Sequence, residues 1–159
     1  MAEELSRGAK KIQDALSALG AAFEVVELPD STRTAVDAAR AVGCAVDQIA
    51  KSIVFRTVGG KQPVMVIASG AHRIDERKVA AIIGEAIEKA DPDFVKEKTG
   101  FSIGGVPPVG HAAAIPVIID EDLLKHGEIW AAAGTPHSVF KISAESLVRI
   151  TRGNVKPVA

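Results

Sequence analysis

Lys51 stands where a short helical stretch, Asp47-Gln48-Ile49-Ala50, passes into a run of β-formers, a place from which a side chain can point over a sheet edge. Taken alone, Lys51 reads as an ordinary solvated lysine. Gly104-Gly105-Val106-Pro107-Pro108-Val109-Gly110-His111 packs three glycines and two prolines into eight residues. Prolines fix φ and remove amide donors while glycines admit close backbone approach, so such a loop can present carbonyls to a ligand at fixed positions. A rigid connector between two elements has the same composition.

No covalent nucleophile is legible. The chain has no Gly-x-Ser-x-Gly elbow, no phosphate loop ending in Lys-Ser/Thr and no Cys-x-x-Cys pair. His72, His111, His126 and His137 are scattered without metal-ligand spacing, so neither a metal nor another cofactor is expected. The single cysteine, Cys44, sits in an apolar setting, cannot form an internal disulfide, and reads as structural or surface.

The elements that must carry these residues follow from periodicity and punctuation. Leu5, Ala9, Ile12, Leu16 and Leu19 recur at helical spacing and the stretch stops at Gly20. Phe23–Leu28 reads as a short strand, and Thr34 with Asp37 opens a helix that Gly43 ends. Two β-rich runs, 52–58 and 62–68, flank Gly59-Gly60, a pair able to take the positive φ angles of a tight hairpin turn. Asp75 caps a helix ending at Gly84, and Asp91-Pro92 opens another ending at Gly100. Strands are expected at 115–119, 128–133 and 138–142, then a helix from Ala144. Strands and helices mix without strict alternation, which predicts a single α+β domain, residues 1–152, with a mixed sheet and helices around it. Residues 153–159 hold Pro157 and no periodicity, and read as a loose tail.

At 159 residues, 47% hydrophobic and 25% charged, the composition is that of one globular domain able to fold alone. A net charge of -1 argues against broad coating of nucleic acid and against DNA binding; any phosphate contact must be local, with a few basic residues around one pocket. Apolar runs are too short to span a membrane and no secretory leader follows the first charges, so the cytoplasm is the expected compartment.

Four segments in order now matter together: Lys51-Ser52-Ile53-Val54-Phe55; Gly70-x-x-Arg73-Ile74-Asp75-x-x-Lys78; Gly104-x-x-x-Pro108 with Gly110-His111; and Gly134 followed by Val139-Phe140-Lys141-Ile142-Ser143. With them the chain resembles the YbaK and prolyl-tRNA-synthetase-associated editing-domain family, over most of its length. The resemblance implies that Lys51 holds the terminal adenosine and its phosphate, and that the loop through Gly104 and Pro108 positions an aminoacyl ester through backbone groups. It further implies attack by a positioned water without a covalent intermediate, which accounts for the missing nucleophile.

His111 matches a histidine that shapes the amino-acid pocket in the editing domain inserted in bacterial prolyl-tRNA synthetases, and it tilts the substrate away from cysteine toward alanine, serine or threonine. Gly105, Gly110, Gly134, Thr135, His137, Ser138 and Arg73 are the further substrate-binding candidates, with a simple hairpin turn as the other reading of the 134–138 stretch. Asp75 is expected to cap rather than to bind. The expectation is therefore a trans-acting deacylase of mischarged tRNA(Pro), with the tRNA acceptor end as partner and a role for prolyl-tRNA synthetase left open. A non-catalytic module that binds a tRNA end or nucleotide is the alternative, and a small-molecule esterase a weaker one for want of a serine elbow.

Overall fold

The computed structural model describes residues 5–20 and 23–159; residues 1–4 of the expected domain span lie outside these. α1 (Arg7–Ala18) buries Ala9, Ile12 and Leu16 along one face. β1 (Val25–Glu27) follows, then α2 (Ala35–Val42), where the Thr34 hydroxyl accepts the Asp37 N–H at 3.1 Å and Gly43 closes the helix at φ +76°. A 3-10 turn at Val46–Gln48 leads into β2 (Ile49–Thr57), which turns back as β3 (Pro63–Ser69).

α3 (Glu76–Ile83) starts at Asp75, whose carboxylate accepts the Arg77 and Lys78 N–H groups, so Asp75 is the cap its position foretells. β4 (Ile87–Lys89) precedes α4 (Pro92–Thr99), capped by Asp91 through Phe94 N–H at 2.8 Å. The remaining elements are β5 (Val117–Asp120), β6 (Glu128–Ala132), β7 (Ser138–Ser143), α5 (Ala144–Thr151) and β8 (Asn154–Lys156).

Seven strands run in the order β1-β7-β6-β2-β3-β5-β8, and β4 adds to β2. The sheet is mixed: β2 is antiparallel to β3 and β4 but parallel to β6, and β5 is parallel to both β3 and β8. Every residue of β3 is buried, because apolar layers cover both faces. On one face Ala50, Val54, Met65 and Ile67 pack with Ile12, Leu16 and Phe140; on the other Phe55, Val64, Val66 and Ala68 pack with Val79, Ile118 and Val158. Among the described residues no helix is long and apolar enough to cross a membrane.

Two local expectations are corrected. In the β2–β3 connection neither glycine takes positive φ; Lys61 does, at +54°, within a turn tied by Lys61 N–H to the Thr57 carbonyl and Gln62 N–H to the Thr57 hydroxyl. A side chain that accepts the turn's amide makes the longer loop self-sufficient, so the two-residue glycine turn is not needed. Residues 153–159 are not a loose tail: β8 extends the sheet edge beside β5, Val158 is fully buried, and Asp75 N–H donates to the Val158 carbonyl at 2.7 Å. Edge pairing with one buried anchor leaves no periodicity for a sequence to display.

Candidate active site

Lys51 lies on β2 opposite Ala68 of β3. Beside it a crevice opens in two lobes, of about 320 and about 220 Å³, that share Lys51, Ser52, Ile53, Ile103, Gly104 and Val106. The larger lobe extends to Arg73, Ile74, Lys89 and Val95; the smaller extends to Thr32, Arg33, Trp130 and Ala131. Lys51 and Gly104 thus stand on the wall common to both. Burial pushes the Lys51 ammonium down from the ordinary lysine value, and the buried Asp120 carboxylate acts in the opposite sense. A partly desolvated cation has lost some of its water and binds an anion more strongly.

Four cations, Arg33, Lys51, Arg73 and Lys89, line the crevice against one acid, Glu76. This local excess supplies what the net charge of -1 seemed to withhold. Neither lobe is lined by histidine or cysteine, so the Ser52 and Thr32 hydroxyls have no adjacent imidazole to activate them as nucleophiles. Among the described residues, both hydroxyls are buried and without a hydrogen-bond partner. Orphaned polar groups in a crevice are groups that a ligand can satisfy.

The glycine-proline loop is locked from behind. Gly104, at φ +97°, lies beneath the Arg33 side chain: a Cβ at residue 104 would meet Arg33 Cγ at 2.5 Å. Gly105 carries its carbonyl to Gly134 N–H at 2.9 Å, and a Cβ on Gly105 would reach the Thr135 backbone at 2.8 Å. Gly134 in turn sits against Gly8 of α1, where a Cβ would approach the Gly8 oxygen to 2.6 Å. Three backbones meet with no room for side chains, which is why glycines recur there. Among the described residues, the Gly104 and Val106 N–H groups have no acceptor within the protein.

Of the residues singled out from the sequence, the fold brings Lys51, Gly104 and Arg73 to the crevice. Pro108 is buried and lines neither lobe. His111 also lies outside; its Nε2 donates to the Pro107 carbonyl at 2.7 Å, and burial lowers its basicity, favouring the neutral ring. Gly105, Gly110, Gly134, Thr135, His137 and Ser138 form the scaffold behind the loop: Gly110 packs on Ile12, His137 reaches the Asp30 carbonyl at 3.1 Å, and the Thr135 and Ser138 hydroxyls bond to each other. Sequence reasoning passed over Thr32, Arg33, Ser52 and Lys89. Arg33 and Thr32 immediately precede the α2 cap, a position whose only signal was that cap.

A model of the aminoacyl-tRNA editing domain matches residues 29–150. The chain belongs to the aminoacyl-tRNA editing domain family. Its family activity is hydrolysis of aminoacyl-tRNA, and the chain is an enzyme of that deacylase class. A solved structure described as a candidate trans-editing enzyme for prolyl tRNA synthetase is 44% identical, with TM-score 0.92 over 98% of each chain. YwhH of Bacillus subtilis, itself uncharacterised, is 32% identical over 78% of both chains. A proline–tRNA ligase of Elusimicrobium minutum is 34% identical over 55% of this chain, which spans only 15% of that ligase. EbsC of Enterococcus faecalis, described as a candidate Cys-tRNA(Pro)/Cys-tRNA(Cys) deacylase, is 26% identical over 76% of this chain and 73% of its own.

Proposed function

We propose that the chain hydrolyses the ester of tRNA(Pro) charged with a small amino acid other than proline. The observation that carries this reading is the two-lobed crevice with Lys51 and Gly104 on its common wall. An aminoacyl-adenosine end is itself bipartite, a nucleoside on one side of an ester and an amino acid on the other. The ester then lies over the shared wall, the acyl group in the smaller lobe and the nucleoside in the larger.

Lys51 holds the phosphate beside the terminal ribose, with Arg73 and Lys89 of the larger lobe completing a local anion site. The unpaired amides of Gly104 and Val106 are placed to receive the oxyanion that forms as water attacks the carbonyl. The vicinal ribose hydroxyl orients that water, so the reaction needs no enzyme-bound acyl intermediate. Fixed donors and a held substrate are each worth several kcal/mol of barrier, on the order of what an already reactive ester requires.

The smaller lobe also supports a preference. Its walls include Ala38, Ala131, Ala132 and Val139, an apolar lining that suits a methyl group, and the unpartnered Thr32 hydroxyl can pair with the hydroxyl of serine or threonine. This favours alanine, serine and threonine over cysteine, on Thr32 rather than on His111. Thiol and hydroxyl differ by only ~1–3 kcal/mol in such a pocket unless a buried polar group is left unpaired. The test is release of amino acid from tRNA(Pro) charged with alanine, serine, threonine or cysteine, beside simple carboxylic esters. Turnover of the esters with none of the charged tRNAs would replace the reading with a small-molecule esterase.

A further inference from the structure

The smaller lobe of the crevice is lined by Arg33 and Lys51 and by no aspartate or glutamate. Among the described residues neither cation has a carboxylate within ion-pair distance. The first turn of α2 meets the same lobe through Thr34 and Ala35. Thr34 accepts the Asp37 N–H on its hydroxyl and the Ala38 N–H on its carbonyl, whereas the Ala35 and Val36 N–H groups find no acceptor among the described residues. Free amides at a helix start carry partial positive charge. Water can serve such amides, so the start of a helix alone identifies no ligand.

Thr32 gives the independent sign of one. It lines the lobe, is only 5% exposed, and its hydroxyl has no partner among the described residues. Its own N–H donates to the Pro136 carbonyl at 2.6 Å, which fixes the backbone that carries it. A buried hydroxyl without a partner is destabilising until a ligand engages it. Two cations, two free amides and an orphan hydroxyl, with no acid among them, complement a small oxyanion.

The acyl group enters this lobe as a neutral ester. Attack forms a bond from the water oxygen to the carbonyl carbon and breaks the bond to the ribose oxygen, which leaves with one proton. The acid so formed gives the other proton to solvent, since an α-carboxyl titrates far below neutrality. A negative charge thus arises in the lobe only through the reaction, first on the oxyanion and then on the product.

We propose that Arg33, the Thr32 hydroxyl and the first turn of α2 form a carboxylate site for the amino acid that hydrolysis sets free, so that the free amino acid inhibits the enzyme. Arg33 is placed for this: a Cβ on Gly104 would lie 3.2 Å from its Nε, so the side chain rests on the wall shared by the two lobes. Its planar fork can take both carboxylate oxygens at once. The Thr32 hydroxyl donates to the anion and keeps its lone pairs for a serine or threonine side chain. The inference rests on the ester-hydrolysis reading above and adds what the lobe holds afterwards.

Trp130 lines this lobe and is the chain's only tryptophan, with no tyrosine present, so its fluorescence reports occupancy. The experiment titrates the whole chain with L-alanine, L-alaninamide and inorganic phosphate. Alaninamide keeps the methyl and amino groups of alanine and lacks the carboxylate. The expected result is a saturable change with alanine, binding of alaninamide weaker by about tenfold or more, and a similar loss of alanine affinity in Arg33→Gln. Thr32→Val should weaken alanine several-fold yet melt no lower than the wild type, because it deletes a hydroxyl that bonds to nothing in the free chain; a merely structural Thr32 would melt lower. Alanine, unlike alaninamide, should also slow amino-acid release from charged tRNA over the range in which it saturates the fluorescence. Equal binding of alanine and alaninamide, or no response to alanine, overturns the carboxylate site. Phosphate that binds tighter than alanine and is lost in Arg33→Gln overturns it in favour of an RNA phosphate. If the chain still deacylates charged tRNA in those cases, only this site falls; a chain that hydrolyses no charged tRNA overturns the reaction and with it the product role.

Discussion

His111 donates from Nε2 to the Pro107 carbonyl at 2.7 Å, clasping the segment that follows Gly104 and Gly105. The ring carries its proton on Nε2 to make this bond, and burial disfavours a second proton on Nδ1. The folded chain thus binds fewer protons at His111 than the unfolded chain does, so the folding stability is full above the ordinary histidine value of about 6.5 and falls as pH drops below it, because the buried ring must then take a charge. The melting temperature of the wild type should drop between pH 7 and pH 5, while His111→Gln, which can donate to the same carbonyl without titrating, should show a flatter profile. Parallel profiles for the two proteins would remove His111 from the loop's stability.

Gly104→Ala places a side chain at φ +97° and against the Arg33 stem. A left-handed L-residue costs roughly 1–2 kcal/mol, and at about 2–4 °C per kcal/mol for a chain of this size the midpoint should fall by several degrees. Activity measured below that midpoint should fall tenfold or more, because the loop and Arg33 move together. Wild-type activity in Gly104→Ala would take the loop out of the mechanism.

Arg73 and Arg33 line opposite lobes of the crevice, Arg73 on the larger. Arg73→Ala should raise KM with little change in kcat, and should lower the salt dependence of tRNA binding by about one unit of slope in a log–log plot. An unchanged KM and slope would assign Arg73 to solvent.

Much of the fold was legible because helix ends are local chemistry. Thr34, Asp75 and Asp91 each bond amides two or three residues ahead, and Gly43, Gly84 and Gly100 take the left-handed conformation just beyond, so six short signals delimit three helices. The β2–β3 pair was legible because both strands are long and apolar. β4 and β8, three residues each, were not, since an edge strand of that length is decided by its neighbour. At the site, Lys51 and Gly104 stood out by their contexts. Thr32 and Ser52 did not, because an unpaired group is a property of what fails to come near it in three dimensions.

β8 gives that difference a direct check. Removing residues 154–159 exposes the sheet edge at β5 and withdraws the buried Val158, a side chain worth roughly 1.5–3 kcal/mol. The truncated chain should melt at least about 5 °C lower yet deacylate normally below its midpoint. An unchanged melting temperature would show that the segment contributes nothing to the domain.

The central claim is that Lys51, on the wall shared by the two lobes, holds the charged end of mischarged tRNA(Pro) for hydrolysis. The direct measurement is release of alanine, serine, threonine, cysteine and proline from separately charged tRNA(Pro) by the wild type and by Lys51→Ala, with melting curves of both. The account predicts that the wild type releases alanine, serine or threonine and spares proline, and that Lys51→Ala loses at least a hundredfold in rate with its melting temperature nearly unchanged, since a partly exposed lysine contributes little to stability. A Lys51→Ala protein that deacylates within a few fold of the wild type would contradict it.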